Sequence, residues 1–348
     1  MKRALATVFI ALVLLAGGTG VWLSQLYDEH ERALFAPIPI SQQTLFTINA
    51  GGTVKQIAKE FAKRQWIAQP QFLYWYARHN KLSTNIKVGT YALDPGVSVL
   101  EALALFVEGR EVQFSFTIIE GWNFRQLRTA LETSTHLEQT LLGLDDAQVM
   151  AKLQRPERHP EGMFLADTYS FPPGTSDLEA LRRAHLALEN RLQQMWETRA
   201  PELPLTRAYE GLILASIIEK ETADAGERPL IAGVFIKRLR KKMLLQTDPT
   251  VIYGLGPSFD GNLRRSDLNA DTPYNTYTRK GLPPTPIAIV GERALRAALH
   301  PQIDGSLFFV ARGDGTHQFS RTYAEHLRAV RKYQLGKSRR RQSTAGRS

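Results

Sequence analysis

The stretch GLILASIIEKET, residues 211–222, determines the centre of the fold because it joins a helical apolar pattern to two carboxylates. Leu212, Ala215 and Glu219 recur at i, i+3 and i+7, which places them on one face of a helix. Glu221 lies two positions beyond Glu219, about 200° further around the helix axis. The pattern therefore predicts a buried helix in which at most one of the two glutamates faces a given pocket.

Polar residues follow a second predicted helix. RPLIAGVFIKRLRK, residues 228–241, has apolar residues at helical spacing and ends in the basic run RLRKK, which we interpret as a solvated helix end. MLLQTDPTVIYGLG, residues 243–256, then places Gln246 and Asp248 just before a proline. Such short polar side chains indicate either an inward-facing hydrogen-bonding group or an Asx-type turn.

The last third of the chain combines a rigid loop with a hairpin. PYNTYTRKGLPPTPI, residues 273–287, is too rich in proline for a regular element, and its Asn275 and Tyr277 are the kind of side chains that line a sugar groove. LFFVA and HQFS, residues 307–311 and 317–320, flank a Gly-Asp-Gly turn and predict a β-hairpin.

The N-terminus has the pattern of a membrane anchor. Residues 4–23 carry no charge, and about 20 such residues span a bilayer as a helix. Lys2 and Arg3 precede this run and acidic residues follow it, so we expect residues 1–27 to hold a cytoplasmic N-terminus and the anchor, with the rest of the chain exported. A cleaved signal peptide is the alternative. Residues 28–44 predict a linker.

Composition limits the classes of function. The net charge of +10 is concentrated at the ends, above all in the tail at residues 337–348, so the body is only mildly basic and we expect no nucleic-acid partner. We expect the tail to be a solvated, disordered end, with attraction to acidic wall or lipid groups as the alternative. The chain has no cysteine, and its histidines lack metal-ligand spacing, so we expect no metal and no cofactor.

Residues 45–110 read as strand, two helices, strand and helix, and they resemble a LysM-like module, a small β/α unit that binds N-acetylglucosamine polymers. Its run LYWYA contains Tyr74, Trp75 and Tyr76, which could stack on sugar faces, although a cluster on an amphipathic helix more often belongs to a core. Further along, residues 130–158 predict a charged helical region.

Five motifs in this order resemble the endolytic murein transglycosylase family (YceG-like). They are PEGMFLADTY, ASIIEKET, LQTDPTVIYGLG, PYNTYTRKGLPPTPI and LFFVARGDGTHQFS, and the likeness extends over nearly the whole chain. The resemblance implies an α+β protein with an N-terminal transmembrane helix, the LysM-like module, and a mixed α/β catalytic domain at residues 111–336 with a glutamate-bearing helix.

The resemblance also implies the chemistry. It makes Glu219 the catalytic acid/base, which protonates the glycosidic oxygen and accepts the proton of the muramyl 6-hydroxyl, leaving a 1,6-anhydro end. A lone glutamate fits this internal attack better than hydrolysis, which generally uses two carboxylates. Asp167, Asp248 or Asp271 could still approach in three dimensions. We assign Glu221 to a structural partner such as an arginine of the next helix.

Four residues are the candidate substrate contacts: Gln246, Asp248, Asn275 and Tyr277. The implied partners are peptidoglycan glycan strands and, as candidates, peptidoglycan synthases, with the protein held in the inner membrane by residues 4–23 and its catalytic domain outside the cytoplasm. Two other functions stay open from the sequence: a peptidoglycan-binding protein without enzymatic activity, and a muramidase-type hydrolase.

Overall fold

A computed structural model describes residues 32–335 continuously, together with positions 17–19, 21, 24–25 and 27–28. Most of the predicted span at residues 4–23, and the whole tail at residues 337–348, lie outside these described residues. Among the residues that are described, none belongs to a helix that is both long enough and apolar enough to cross a membrane. The chain divides into two compact units, Met1–Phe114 and Ser115–Ser348.

The first unit is built on one antiparallel strand pair. Strand Thr44–Ile48 pairs with strand Gly89–Leu93. Thr53 caps the helix Val54–Lys63, since its hydroxyl accepts a hydrogen bond from the Gln56 amide at 3.3 Å. The described helices of this unit are Val54–Lys63, Pro70–His79 and Val99–Glu108. Their apolar faces enclose a core whose largest fully buried side chains are Tyr91, Phe61 and Phe106.

The aromatic run of the first unit is divided between core and surface. Leu73 and Ala77, one helical turn apart, are fully buried, and Tyr74 and Tyr76 are partly buried against the core. Trp75 is 57% exposed, because it lies two positions from both buried residues and so points away from the core. The assignment of this run to a core is therefore wrong for Trp75.

The second unit is a mixed α/β assembly in which helices outnumber strands, which confirms the α+β class. Its strands form two-stranded sheets, Phe114–Thr117 with Thr168–Phe171 and, in the predicted antiparallel hairpin, Phe308–Ala311 with His317–Ser320. Its described α-helices are Phe124–Glu132, Asp146–Lys152, Asp177–Glu197, Ala208–Glu221, Arg228–Arg240, Asp248–Leu255, Arg265–Asn269, Glu292–Leu299 and Tyr323–Val330, with a short 3-10 helix at Gly256–Ser258 and a π-helical turn at Arg331–Leu335.

The helix Ala208–Glu221, which we name the carboxylate helix, runs through the core of the second unit. Every residue from Gly211 to Glu219 is buried, so the helix is covered on all sides and not only on the predicted face. The Ser216 hydroxyl donates to the Ile213 carbonyl at 2.7 Å and accepts from the Ile287 amide at 3.0 Å, which ties the proline-rich segment to this helix. The helix leaves the core after Glu219, since Lys220 is exposed and Glu221 is partly buried.

The prediction of a helical region over residues 130–158 is right only up to Glu132 and over the helix Asp146–Lys152. Residues 133–145 form a loop, and a new helix begins only at Asp146, after an Asp145 capping box. The buried Asp177 carboxylate holds this loop by accepting hydrogen bonds from the Thr140 amide at 3.0 Å and the Leu141 amide at 3.1 Å. A tertiary contact thus replaces the helical hydrogen bonds that local propensity favours.

Candidate active site

The end of the carboxylate helix places its two glutamates in different environments. The Glu219 side chain is only 2% exposed, and its Oε1 accepts a hydrogen bond from Arg228 Nη2 at 2.6 Å. Its Oε2 accepts from the Gly291 amide at 3.0 Å. Arg228 of the next helix therefore pairs with Glu219, while the arginine of that helix that interacts electrostatically with Glu221 is Arg238.

The pair Glu219–Arg228 has the character of a structural ion pair. Burial raises the pKa of the Glu219 carboxyl, and the Gly291 amide and the Arg228 guanidinium oppose that rise. Arg228 is itself buried, and within the described chain its Nε and Nη1 atoms have no hydrogen-bond partner. Its other acid contact is Glu120, at 3.4 Å. Glu219 is thus the close counter-ion of a buried guanidinium.

Glu221 lines an open cavity of about 450 Å³, which we name the Glu221 cleft. Three of the four predicted substrate contacts, Gln246, Asp248 and Tyr277, lie in the wall of this cleft. The wall also includes an arginine, two histidines and three aromatic side chains, namely Arg238, His317, His326, Phe308, Phe309 and Tyr323. Polar groups therefore converge on a carboxyl beside an aromatic surface, as in many ligand-binding sites.

The surroundings of Glu221 favour its protonated form. Burial raises the pKa of the Glu221 carboxyl, the hydrogen bond from the Thr247 hydroxyl opposes the rise, and the nearby Asp248 carboxylate adds to it. His317 and Arg238 act in the lowering direction. A carboxyl that keeps its proton above its ordinary range and lies at a cavity wall can act as a general acid.

The wall residues Asp248, Tyr277 and Gln246 are ordered by contacts across the cleft. The Tyr277 hydroxyl donates to Asp248 Oδ1 at 2.5 Å, and burial raises the pKa of that hydroxyl. Gln246 is exposed, adopts a positive φ of 52°, and its amide donates to the Thr276 carbonyl at 3.1 Å. The Gln246 side chain itself contacts Arg238, whose Nη1 donates to its Oε1 at 3.5 Å.

Asn275 is not part of the cleft wall. It is fully buried, and its Nδ2 donates to the backbone carbonyls of Asp267, Leu268 and Ala270 at 3.2, 3.0 and 2.6 Å. Its Oδ1 accepts from the Tyr277 amide at 2.8 Å. Asn275 therefore shapes the loop that presents Tyr277, which corrects the expectation of a direct substrate contact.

The other predicted carboxylates do not share the position of Glu221. Asp271 is bound to Arg279 at 2.7 Å, and neither it nor Asp167 lines the Glu221 cleft. Asp248 does line it, but its Oδ1 is engaged by Tyr277. No group of three or more acidic or histidine side chains in the described part of the chain could hold a metal ion.

Arg238 is a cleft residue that the sequence interpretation missed. It belongs to the run interpreted as a solvated helix end, yet it is buried, and its guanidinium donates to the carbonyls of Leu307 at 2.8 Å and Leu245 at 2.7 Å. It also stacks over the Phe308 ring at 5.2 Å. The signal was present in the spacing, because Arg238 follows Ile231 by seven positions and so shares its inward face.

His317 is a second missed residue of the cleft. Its Nδ1 lies 2.7 Å from Glu227 Oε2, and its amide donates to Glu227 Oε1 at 2.8 Å. The two contacts fix the imidazole from its Nδ1 side while the residue lines the cleft. The hairpin pattern predicted the strand that carries His317, but no pattern in the sequence linked it to Glu227, which lies 90 positions earlier.

Comparison with known proteins gives one consistent family. The model of the YceG-like family matches residues 46–332. A Bacillus subtilis protein named endolytic murein transglycosylase is 32% identical over 321 residues, which are 87% of this chain and 88% of that protein. A Streptococcus pneumoniae protein of the same name is 27% identical over 95% of this chain, and the match spans 65% of its own length.

A solved structure has a similar fold. The crystal structure of a yceG-like protein from Listeria monocytogenes superimposes with a TM-score of 0.51 at 27% sequence identity. The match covers 83% of this chain and 99% of that chain.

Proposed function

Because this chain belongs to the YceG-like family, we propose that it is a peptidoglycan lytic transglycosylase whose acid/base is Glu221. The chain aligns along most of its length with relatives named endolytic murein transglycosylase. The observation that carries the assignment is a half-buried carboxyl, with its pKa raised by burial, in the wall of a polar and aromatic cleft.

The choice between the two glutamates rests on access. Glu219 faces away from the cleft, and its carboxylate oxygens are occupied by Arg228 and Gly291. Burial and Glu120 raise the pKa of Glu219, but protonating it would leave the buried Arg228 charge without its closest counter-ion. Burial and Asp248 raise the pKa of Glu221, whose hydrogen bond comes from the neutral Thr247 hydroxyl and not from a guanidinium. This geometry argues for Glu221 in place of the Glu219 that the family resemblance implied.

One carboxyl is sufficient for this reaction. Protonated Glu221 gives its proton to the oxygen between N-acetylmuramic acid and N-acetylglucosamine as the bond from that oxygen to C1 breaks. The resulting carboxylate takes the proton of the muramyl 6-hydroxyl, whose oxygen bonds to C1 and closes a 1,6-anhydro ring. Glu221 ends protonated, and no water is consumed. The retaining and inverting hydrolytic arrangements both need a second carboxylate at a defined distance.

The other cleft residues have roles that match their chemistry. Phe308 and Tyr323 offer aromatic surface to sugar rings, while Gln246 and the Tyr277 hydroxyl offer hydrogen bonds to hydroxyl and N-acetyl groups. Arg238 donates to two backbone carbonyls and so fixes the floor beside the aromatic wall. His317, held by Glu227, contributes positive charge near the carboxylate form of Glu221 when its ring is protonated.

Mass analysis of digested glycan strands tests the reaction. The full chain in detergent should release fragments with 1,6-anhydro ends, and internal cleavage should shorten long strands before disaccharides accumulate. Fragments with reducing ends would instead identify a muramidase-type hydrolase. Intact strands that co-sediment with the protein would identify a binding protein without activity.

A pair of variants tests the residue. Glu221→Gln should abolish anhydro products while the protein still binds strands, whereas Glu219→Gln that remains folded should still make them. Active Glu221→Gln protein would refute the assignment to Glu221.

The N-terminal segments complete the proposal. Residues 4–23 anchor the protein in the inner membrane with its N-terminus in the cytoplasm, residues 28–44 form the linker, and the catalytic domain at residues 111–336 lies outside the cytoplasm. The anchor is supported by the uncharged stretch of residues 4–23, which is long enough to span a bilayer, and by the basic residues that precede it. Protease added to intact spheroplasts should digest the catalytic domain, and loss of residues 1–27 should release the protein from membranes.

Residues 45–110 act as a LysM-like, glycan-binding module in this proposal. The antiparallel strand pair with two intervening helices, and the 57% exposed Trp75, support that role. Trp75→Ala should weaken sedimentation with purified glycan without changing the chemical nature of the products. Peptidoglycan synthases are the proposed protein partners, to be sought by cross-linking in membranes.

A further inference from the structure

A second cavity lies in the same unit as the Glu221 cleft and is larger, about 710 Å³. We name it the Glu161 cavity. Its wall includes amide, phenol and carboxyl groups together with apolar rings, among them Asn123, Glu161, Lys220, Tyr253, Phe259 and Tyr274. None of these residues has a role in the reaction described above.

At two points of the chain, neighbouring residues line the Glu161 cavity and the Glu221 cleft. Lys220 lines the cavity and its neighbour Glu221 lines the cleft. Pro249 lines the cavity and its neighbour Asp248 lines the cleft. The end of the carboxylate helix and the start of the helix Asp248–Leu255 therefore have one cavity on each side. A polymer bound across this junction would contact both cavities.

The groups inside the Glu161 cavity suit an uncharged polar ligand. Glu161 is 4% exposed and accepts from the Phe124 amide through both oxygens, at 3.1 and 3.2 Å. Burial raises its pKa to about 7, so near neutral pH the carboxyl can either donate or accept a hydrogen bond. The Tyr253 and Tyr274 rings meet edge to face at 4.9 Å and form part of the wall.

The charges around the cavity do not select an anionic ligand. Arg125 and Lys220 share the wall with Asp146 and with Glu161, which is partly ionised near pH 7, so little net positive charge remains. Lys220 Nζ also donates to the Gly121 carbonyl at 3.2 Å, which engages its charge. A stem peptide, with its carboxylates, would need a positive surface to be preferred there. Neutral N-acetylated sugars need aromatic faces and adaptable hydrogen bonds, both of which are present.

We propose that the Glu161 cavity is a second saccharide subsite, which binds N-acetylated sugar units of the same glycan strand on the far side of the junction from the Glu221 cleft. This inference rests on the proposed function, since it takes the glycan strand as the substrate. Filling both cavities places the bond to be broken within a strand and not at its end. Turnover should then depend on strand length.

Phe259→Ala is the sharpest probe, because Phe259 is a partly exposed ring in the loop after the helix Asp248–Leu255. Purified glycan strands without peptides, graded by length, are the substrates. Wild-type kcat/KM should rise with length until both cavities are filled. For long strands the variant should lose about tenfold in kcat/KM, the value of one aromatic contact, and the loss should shrink as strands shorten. Leu142→Ala, at a 68% exposed site outside both cavities, is the matched control.

Binding gives a second readout that is independent of turnover. In a Glu221→Gln background, calorimetry with peptide-free hexasaccharide should show weaker binding when Phe259→Ala is added, at an unchanged unfolding midpoint. An equal loss for short and long strands would overturn the subsite, and so would a loss confined to peptide-bearing strands, which would assign the cavity to the stem peptide. Absence of any wild-type cleavage would refute the proposed function, while the binding comparison would still report on the cavity.

Discussion

Replacing Glu219 with glutamine should damage the fold far more than the chemistry. Glutamine keeps the volume of the side chain and can still accept from the Gly291 amide, which now lies 3.0 Å from Oε2. It removes the negative charge that faces Arg228 at 2.6 Å, where the two side chains are 2% and 6% exposed. The guanidinium is then left with Glu120, which is 46% exposed and 3.4 Å away.

The size of the effect follows from the burial of the pair. Removing one partner of a buried ion pair typically costs about 3–5 kcal/mol, because the other charge stays in a poor solvent. In a unit of this size each kcal/mol lowers Tm by about 2–4 °C, so we expect a decrease of roughly 6–20 °C. Adding Arg228→Met should recover part of that loss, since it removes the unpaired charge.

Thermal denaturation followed by circular dichroism measures Tm, and glycan digestion by the folded fraction measures kcat. Glu221→Gln is the matched control: its Tm should not fall, because burial and Asp248 already disfavour the Glu221 charge, while its kcat should fall by about 10²–10⁴. The reasoning is refuted if Glu219→Gln unfolds like the wild type but has lost activity, and Glu221→Gln still cleaves strands. That result would return the acid/base role to Glu219.

Three further predictions concern the second unit and the tail. The pKa of Glu161 is raised from 4.5 to about 7, so the folded state binds the proton of Glu161 more tightly than the unfolded chain. The free energy of unfolding therefore includes a contribution from this proton that is complete below pH 4.5. About 3 kcal/mol of it is lost as pH rises through 7. Glu161→Gln should lose less stability over that window, as urea titrations at pH 5 and 8 would show, and an unchanged pH dependence would contradict the shift. Arg238→Lys cannot keep both hydrogen bonds from the guanidinium to backbone carbonyls, so we expect about 1–3 kcal/mol of destabilisation and a lower kcat. If stability and kcat both stay at wild-type values, the role of Arg238 in the cleft is contradicted. Deleting residues 337–348 should leave the cleavage rate on soluble glycan unchanged, since the predicted role of this tail is solvation; a large fall would point to the alternative of binding acidic wall groups.

Local patterns were sufficient for the elements that their own residues stabilise. The apolar run ending at Ile218 predicted the carboxylate helix. The hairpin around the Gly-Asp-Gly turn was predicted because its strands pair with each other and need no distant partner. The ordered motifs were sufficient for the family, since they extend along most of the chain.

The failures lie where the folded chain supplies a contact that the local sequence pattern does not contain. Asn275 was predicted to bind substrate, but backbone carbonyls of its own loop surround it when the chain folds. Arg238 looked solvated until the carbonyls of Leu245 and Leu307 were in place to accept its protons. In both cases the residue type indicated a hydrogen-bonding role. The sequence did not indicate where in the fold the side chain would point.

The sequence by itself determined that a buried helix ends in two carboxylates and that they point to different sides, because the helical repeat fixes the angle between positions two residues apart. Only the tertiary structure decided which side is the interior and which is the cleft. Arg228 and the Gly291 amide come from other segments and neutralise Glu219, whereas Thr247, Asp248 and Tyr277 come together around Glu221. These partners determine whether a carboxyl acts as a general acid or as a counter-ion. Because they come from other segments of the chain, no local sequence pattern predicts them.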